Sequence, residues 1–80
     1  MRLYLGGFFT FYVPAARKQR SNWIDVELSG AERLPEVLVR LGIPPAEVHL
    51  VVVNGLAVDP AEAIVNPGDE VRLYPPIGGG

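Results

Sequence analysis

Cysteine is absent from this chain of 80 residues, and histidine occurs only once, at His49. The absence of cysteine excludes disulfides, a thiolate nucleophile and zinc–thiolate sites, so the fold must be held together by packing alone. A single histidine has no second imidazole to share a metal with, and we interpret His49 as a surface residue at the start of a strand. Lysine also occurs once, so chains of copies linked by isopeptide bonds could form only through Lys18, apart from the amino group of Met1.

Long hydrophobic runs and an excess of charge are missing as well. The longest uncharged run, residues 3–16, is interrupted by glycines and a proline, so it does not predict a membrane span. The formal net charge is −2, from seven basic and nine acidic residues, which gives no electrostatic argument for a nucleic-acid partner. The hydrophobic share of 49 % is ample for a folded domain. We therefore expect one small domain that binds neither nucleic acid nor a membrane. The absence of cysteine fits either side of a membrane, and the location that we expect is cytoplasmic.

Two strands are predicted in the N-terminal third, because apolar and polar residues alternate over residues 1–5 and 23–28. Gly6-Gly7 ends the first strand as a bulge or a turn. An aromatic group follows, which we interpret as core and loop anchors, and then a small basic loop, either a solvated hairpin turn or a partner contact. The aromatic residues are Phe8, Phe9, Phe11 and Tyr12, and the basic residues are Arg17, Lys18 and Arg20.

One short amphipathic helix is predicted over residues 34–41, where apolar residues recur at i, i+3, i+4 and i+7. Pro35 suits its first turn, where the missing N–H group costs little, and Gly42 suits the position just after its end. The residues of the apolar face are Leu34, Val37, Leu38 and Leu41.

The second half of the chain predicts three more strands. Residues 49–53 are the most apolar run and are interpreted as a central strand, and Asn54-Gly55 predicts a type I′ hairpin into a short strand. Residues 61–65 are interpreted as a single helical turn or an irregular segment. A tight turn over residues 66–69 then leads into the last strand. Its residues on one face are Val71 and Leu73, and those on the other are Arg72 and Tyr74.

This order of elements predicts an α+β fold of the ubiquitin-like β-grasp type. One helix can cover only one face of one sheet, so we expect it to pack across a mixed sheet of four to five strands, with the first and last strands side by side. The domain is predicted to span residues 1–74, followed by a flexible glycine tail over residues 75–80.

Folding alone does not explain the composition of the C-terminal tail. Pro75 and Pro76 lack N–H groups and cannot continue a central strand, and Gly78-Gly79-Gly80 have no side chains to bury. Residues 75–80 can reach roughly 20 Å when extended. We interpret the carboxylate of Gly80 as the working group, with a frayed terminus or a cut linker as the alternative.

Three pieces of the C-terminal half resemble the ThiS/MoaD family of ubiquitin-like sulfur carriers. They are Val53-Asn54-Gly55, Gly68-Asp69-Glu70-Val71, and Pro75-Pro76-Ile77 before Gly79-Gly80. The long aromatic and basic segment from Phe8 to Arg20 and the third terminal glycine depart from that family's usual pattern. The front half also resembles the ubiquitin-like domain that precedes a nuclease-like domain in some bacterial proteins, and that domain has no free glycine end.

The sulfur-carrier resemblance implies a protein co-substrate that is not itself an enzyme. An E1-like activating enzyme would use ATP to adenylate Gly80, with Gly79 beside it, and a sulfur donor would convert the adenylate to a thiocarboxylate. A synthase subunit would then take up the sulfur for a molybdopterin or thiamine type of cofactor or for tRNA. No bound cofactor or metal is expected, and the alternative is a ubiquitin-like binding or modifier domain without sulfur transfer. The expected partner contacts are Arg72, Tyr74, Pro75, Pro76, Ile77 and Gly78.

Overall fold

A computed structural model describes residues 1–76 of the chain, and Ile77–Gly80 lie outside the described residues. The elements, in chain order, are β1 (Arg2–Leu5), a 3-10 helix (Phe9–Tyr12), α1 (Pro14–Gln19), β2 (Trp23–Asp25), β3 (Glu32–Arg33), α2 (Leu34–Leu41), a second 3-10 helix (Pro45–Glu47), β4 (Leu50–Val53), β5 (Leu56–Val58), β6 (Ile64–Val65) and β7 (Glu70–Tyr74).

Five strands form one mixed sheet in the order β2-β1-β7-β4-β5. The pair β1–β7 is parallel, and the other neighbours are antiparallel. Strand β4 lies inside the sheet as predicted, but the central position belongs to β7. This arrangement, with α2 packed on one face, confirms the predicted ubiquitin-like β-grasp fold.

The hydrophobic core lies between α2 and the inner face of the sheet. Leu34, Val37 and Leu38 of α2 are at most 1 % exposed, as the i, i+3, i+4 pattern predicted. They belong to the same buried cluster as Leu3 and Leu73 from the two central strands. Each fully buried leucine contributes about 1.5–3 kcal/mol relative to an exposed one, so this contact supplies much of the stability of so small a domain.

The start of β7 is joined to the β4–β5 hairpin by a small hydrogen-bond network. Asn54 and Gly55 have φ of +49° and +85°, which confirms the predicted hairpin turn. The Asn54 side-chain amide donates to Asp69 Oδ1 at 3.0 Å, and its oxygen accepts the Glu70 backbone N–H at 2.9 Å. Two of the sequence pieces behind the sulfur-carrier resemblance therefore contact each other, and they serve the fold.

Two predictions about local structure were wrong. Arg17 and Lys18 lie in the short helix α1, and Arg20 ends it in the left-handed conformation at φ +53°, so this segment is not an open loop. Residues 64–65 are not helical or irregular, because β6 pairs with β3 as a separate two-stranded sheet. The second predicted strand is also shorter than residues 23–28, although the Val26 N–H still donates to the Met1 carbonyl at 2.8 Å.

Candidate functional site

The candidate site is the end of the sheet at which β7 finishes, next to the glycine tail in the sequence. The Gly6 N–H donates to the Leu73 carbonyl at 2.9 Å on one side, and the His49 N–H donates to the Tyr74 carbonyl at 3.0 Å on the other. The next residue is Pro75, which has no N–H to donate. Backbone pairing from both neighbouring strands therefore holds β7 in place up to its last residue.

Gly6 and Gly7 let the chain pass close to the end of β7. A Cβ built on Gly6 would lie 2.5 Å from the Leu73 carbonyl oxygen, which is closer than side-chain atoms approach a backbone. Gly7 has φ +54°, and a Cβ built there would lie 2.6 Å from Pro75 Cγ. The Gly6-Gly7 step is thus a tight turn against which the Pro75 ring packs, and it leaves no room for side chains.

The outer sheet face, which we define as the face opposite α2, carries an aromatic cluster beside this end. Tyr4 lies opposite Trp23 on β2 and opposite Arg72 on β7. Its ring centroid is 5.1 Å from that of Trp23 and 5.8 Å from that of Tyr74. All three aromatic side chains are half-buried, so part of each stays accessible to solvent.

Two arginines stack on the aromatic cluster. The guanidinium carbons of Arg2 and Arg72 lie 4.3 and 5.0 Å from the ring centroid of Trp23, within the range of cation–π attraction. Both arginines also lie within 4.0 Å of the Glu70 carboxylate. These exposed ion pairs add little stability. Tryptophan, tyrosine and arginine are the residue types that most often dominate protein–protein binding energy.

Two of the titratable groups whose pKa is shifted, Tyr12 and Asp69, have structural roles. The hydroxyl of Tyr12 donates to Glu47 Oε2 at 2.6 Å. This hydrogen bond, with burial and the charge of Glu47, raises the pKa of Tyr12. Hydrogen bonds from Asn54 and from the Asn66 backbone lower the pKa of Asp69. Asp69 directly precedes β7, at the opposite end of that strand from Pro75, and its hydrogen bonds serve the fold.

Neither a group of metal-ligating side chains nor a helix able to cross a membrane occurs in the part of the chain that the structure describes. Within residues 1–76, no three histidine, aspartate or glutamate side chains are grouped so that they could hold a metal ion. None of the helices described there has the length and apolar character to cross a membrane.

The structure brings together four of the predicted partner-contact residues. Arg72 and Tyr74 lie on the outer sheet face, Pro75 is half-buried and Pro76 is exposed. The other predicted site residues, Ile77, Gly78, Gly79 and Gly80, lie outside the described residues.

Sequence reasoning missed Arg2, Tyr4 and Trp23 as members of the candidate surface. The signal that identifies them is strand alternation. Leu3 and Leu5 face inward, which turns Arg2 and Tyr4 outward, and the antiparallel register then places Trp23 beside Tyr4.

A mixed five-stranded sheet with a parallel central pair and one main helix defines a ubiquitin-like domain. The chain belongs to the Mut7-C ubiquitin family, whose model matches residues 8–78. No curated protein was found to match the chain. The family match establishes the ubiquitin-like part of the resemblance described above, and the sulfur-carrier part stays a prediction.

Proposed function

We propose that this protein is a sulfur carrier whose reactive group is the carboxylate of Gly80. The observation that carries the proposal is the position of the glycine tail, which directly follows the central strand of the sheet. Pro75 and Pro76 end that strand beside the aromatic and arginine side chains of the outer sheet face, where a partner could grip the domain and receive the tail. The proposal requires that the carboxylate of Gly80 be free in the mature protein.

The proposed chemistry has two steps, both on an activating partner. A Gly80 carboxylate oxygen attacks the α-phosphorus of ATP, the bond to pyrophosphate breaks, and an acyl-adenylate forms. Hydrosulfide, or a donor of sulfur at the same oxidation level, then attacks the carbonyl carbon. AMP leaves with the original oxygen, so that a thiocarboxylate remains. Residues 78–80 are all glycine, which suits a confined nucleotide site because none carries a side chain. Dependence on ATP also favours a cytoplasmic location.

The test uses three forms of the full chain with purified E1-like activating enzymes, ATP and sulfide. The native chain should gain about sixteen daltons, the difference between one sulfur and one oxygen atom. A chain lacking Gly79 and Gly80 should fold normally and stay unmodified, because its reach is shorter by roughly 7 Å. A chain with one phenylalanine added after Gly80 should also stay unmodified. Modification of the extended chain as efficient as that of the native chain would refute the role of the Gly80 carboxylate.

The second candidate function is a ubiquitin-like docking domain that acts without sulfur transfer. The half-buried Trp23, Tyr4 and Arg72 on the outer sheet face favour it, because residues of these types bind protein partners whether or not the tail is free. The two candidates differ in one requirement, since docking alone does not need a carboxylate at Gly80. A partner that binds the native and the extended chain with equal affinity, and modifies neither, would support docking.

A further inference from the structure

The connection between β1 and β2, residues 6–22, carries two exposed phenylalanines. Phe9 is fully buried and anchors the connection, whereas Phe8 and Phe11 are 42 % and 71 % exposed. A 3-10 helix has three residues per turn, so positions 8 and 11 share one side of it. The centroid of the Phe8 ring lies 5.2 Å from that of Phe9 and 6.3 Å from that of Tyr12, and these contacts hold Phe8 in place.

This connection lies at the same end of the sheet as the start of the tail. It leaves β1 at the Gly6-Gly7 turn, against which Pro75 packs. It returns to β2 through Asn22, whose carbonyl accepts the Leu5 N–H at 2.7 Å and whose side-chain amide donates to the Leu5 carbonyl at 2.7 Å. Because β1 and β7 are parallel, both finish at this end. A partner that receives the tail therefore approaches the exposed phenylalanines.

The connection also carries a charge opposite to that of the rest of the domain. Residues 6–22 contain three basic residues and no acidic one, whereas the rest of the chain contains all nine acidic residues and four arginines. Arg17, Lys18 and Arg20 are exposed, and within residues 1–76 none of them lies within 4.0 Å of a carboxylate. A partner surface that complements this end must be acidic around an apolar contact.

We infer that the β1–β2 connection is a second docking surface for the tail-processing partner. The inference rests on the proposed function. The chemistry that fits the surface is a partner protein with an apolar pocket for Phe8 and Phe11, bordered by carboxylates that face the basic side chains of α1. This surface is separate from the aromatic cluster on the outer sheet face, and together the two would contact the partner near Pro75, where the tail begins.

The first arm of the test removes one exposed phenylalanine. Phe11→Ser should leave the fold intact and raise the KM for the carrier in thiocarboxylate formation by about tenfold, with kcat unchanged because the tail is untouched. Leu56→Ser is the matched control, since Leu56 is 72 % exposed and lies at the other end of the sheet, opposite Val53 of β4. Its KM should equal that of the native chain. Equal KM values for Phe11→Ser and the native chain would overturn the inference.

The second arm tests the charge. Lys18→Gln should raise KM several-fold at low salt and lose this effect at high salt, because exposed charges are screened. Ala31→Glu, which lowers the net charge by the same amount at an exposed residue outside the connection, should change KM little. Equal effects of the two variants would overturn the inference.

Two outcomes distinguish a failure of this inference from a failure of the proposed sulfur-carrier function. If no activating enzyme modifies the native chain, the proposed function fails and the inference fails with it. If the native chain is modified and Phe11→Ser is modified equally well, only the inference fails.

Sedimentation with vesicles of phosphatidylglycerol and phosphatidylcholine serves as a competing assay. Vesicle binding that Phe11→Ser abolishes, without any change in KM, would assign the surface to an anionic membrane.

Discussion

The contact between Gly7 and Pro75 makes the most quantitative prediction. Gly7 has φ +54°, and a Cβ at this residue would lie 2.6 Å from Pro75 Cγ and 3.1 Å from its Cδ. An L-residue in the left-handed conformation costs about 1–2 kcal/mol. Pushing a ring away from such close contact costs about 1–3 kcal/mol more. We therefore expect Gly7→Ala to lower the free energy of unfolding by about 2–5 kcal/mol.

Two further variants separate backbone strain from the clash. Gly68 has φ +87° with nothing within 4 Å of a Cβ built on it, so Gly68→Ala should lose only the strain term of about 1–2 kcal/mol. Pro75→Ala removes the ring atoms nearest Gly7 and keeps the Cβ, which would lie 3.9 Å from the new methyl group. In the Gly7→Ala background it should restore about 1–3 kcal/mol, a coupling that a double-mutant cycle measures.

The assay is urea unfolding followed by the fluorescence of Trp23, the only tryptophan in the chain. If Gly7→Ala costs no more than Gly68→Ala, and Pro75→Ala restores nothing, Gly7 does not hold Pro75 in place. If the coupling is found, the same variants can be compared in thiocarboxylate formation. A displaced Pro75 should then lower the efficiency of tail processing in Gly7→Ala and not in Gly68→Ala.

Three more predictions concern the core, the pH dependence and the outer sheet face. Leu38→Ala should cost about 2–5 kcal/mol in urea unfolding, whereas Val39→Ala on the exposed side of α2 should change stability by less than about 0.5 kcal/mol. Because its pKa is lowered in the fold, Asp69 stabilises the protein at neutral pH, and this contribution should disappear as the pH falls through the lowered pKa. In Asp69→Asn the free energy of unfolding should therefore fall less steeply as the pH is lowered into the acid range. An unchanged pH dependence would contradict the assigned hydrogen bonds. Trp23→Ala should weaken binding of the activating enzyme at least about tenfold in a direct binding assay while the domain stays folded, and unchanged affinity would move the interface elsewhere.

Local signals in the sequence were sufficient to predict α2 and the β4–β5 hairpin. The apolar spacing in α2 and the Gly42 that follows it define the helix without reference to the rest of the chain. Asn54-Gly55 likewise defines the hairpin, because both residues adopt positive φ. The side-by-side placement of the first and last strands followed from two connections, the loop that joins the first two strands and the Asn54-Gly55 turn that joins the third and fourth.

The elements that the sequence did not predict depend on distant contacts. Strands β3 and β6 have two residues each, and they exist because Glu32 lies opposite Val65 and Arg33 opposite Ile64. Helix α1 has six residues, of which only Ala16 is buried, so it shows no apolar periodicity. Its one local signal is a proline at its start. The aromatic cluster was missed for a related reason, because it becomes visible only when the register of β1 and β2 is known.

The most direct test of the central claim is the intact mass of the protein isolated from its own source organism. We predict a chain that ends at Gly80 and a fraction about sixteen daltons heavier. Oxidation of Met1, the only methionine, adds nearly the same mass, so fragmentation must assign the increment to the C-terminal end. A mass showing that residues follow Gly80 in the mature protein, or an increment confined to Met1, would contradict the sulfur-carrier account.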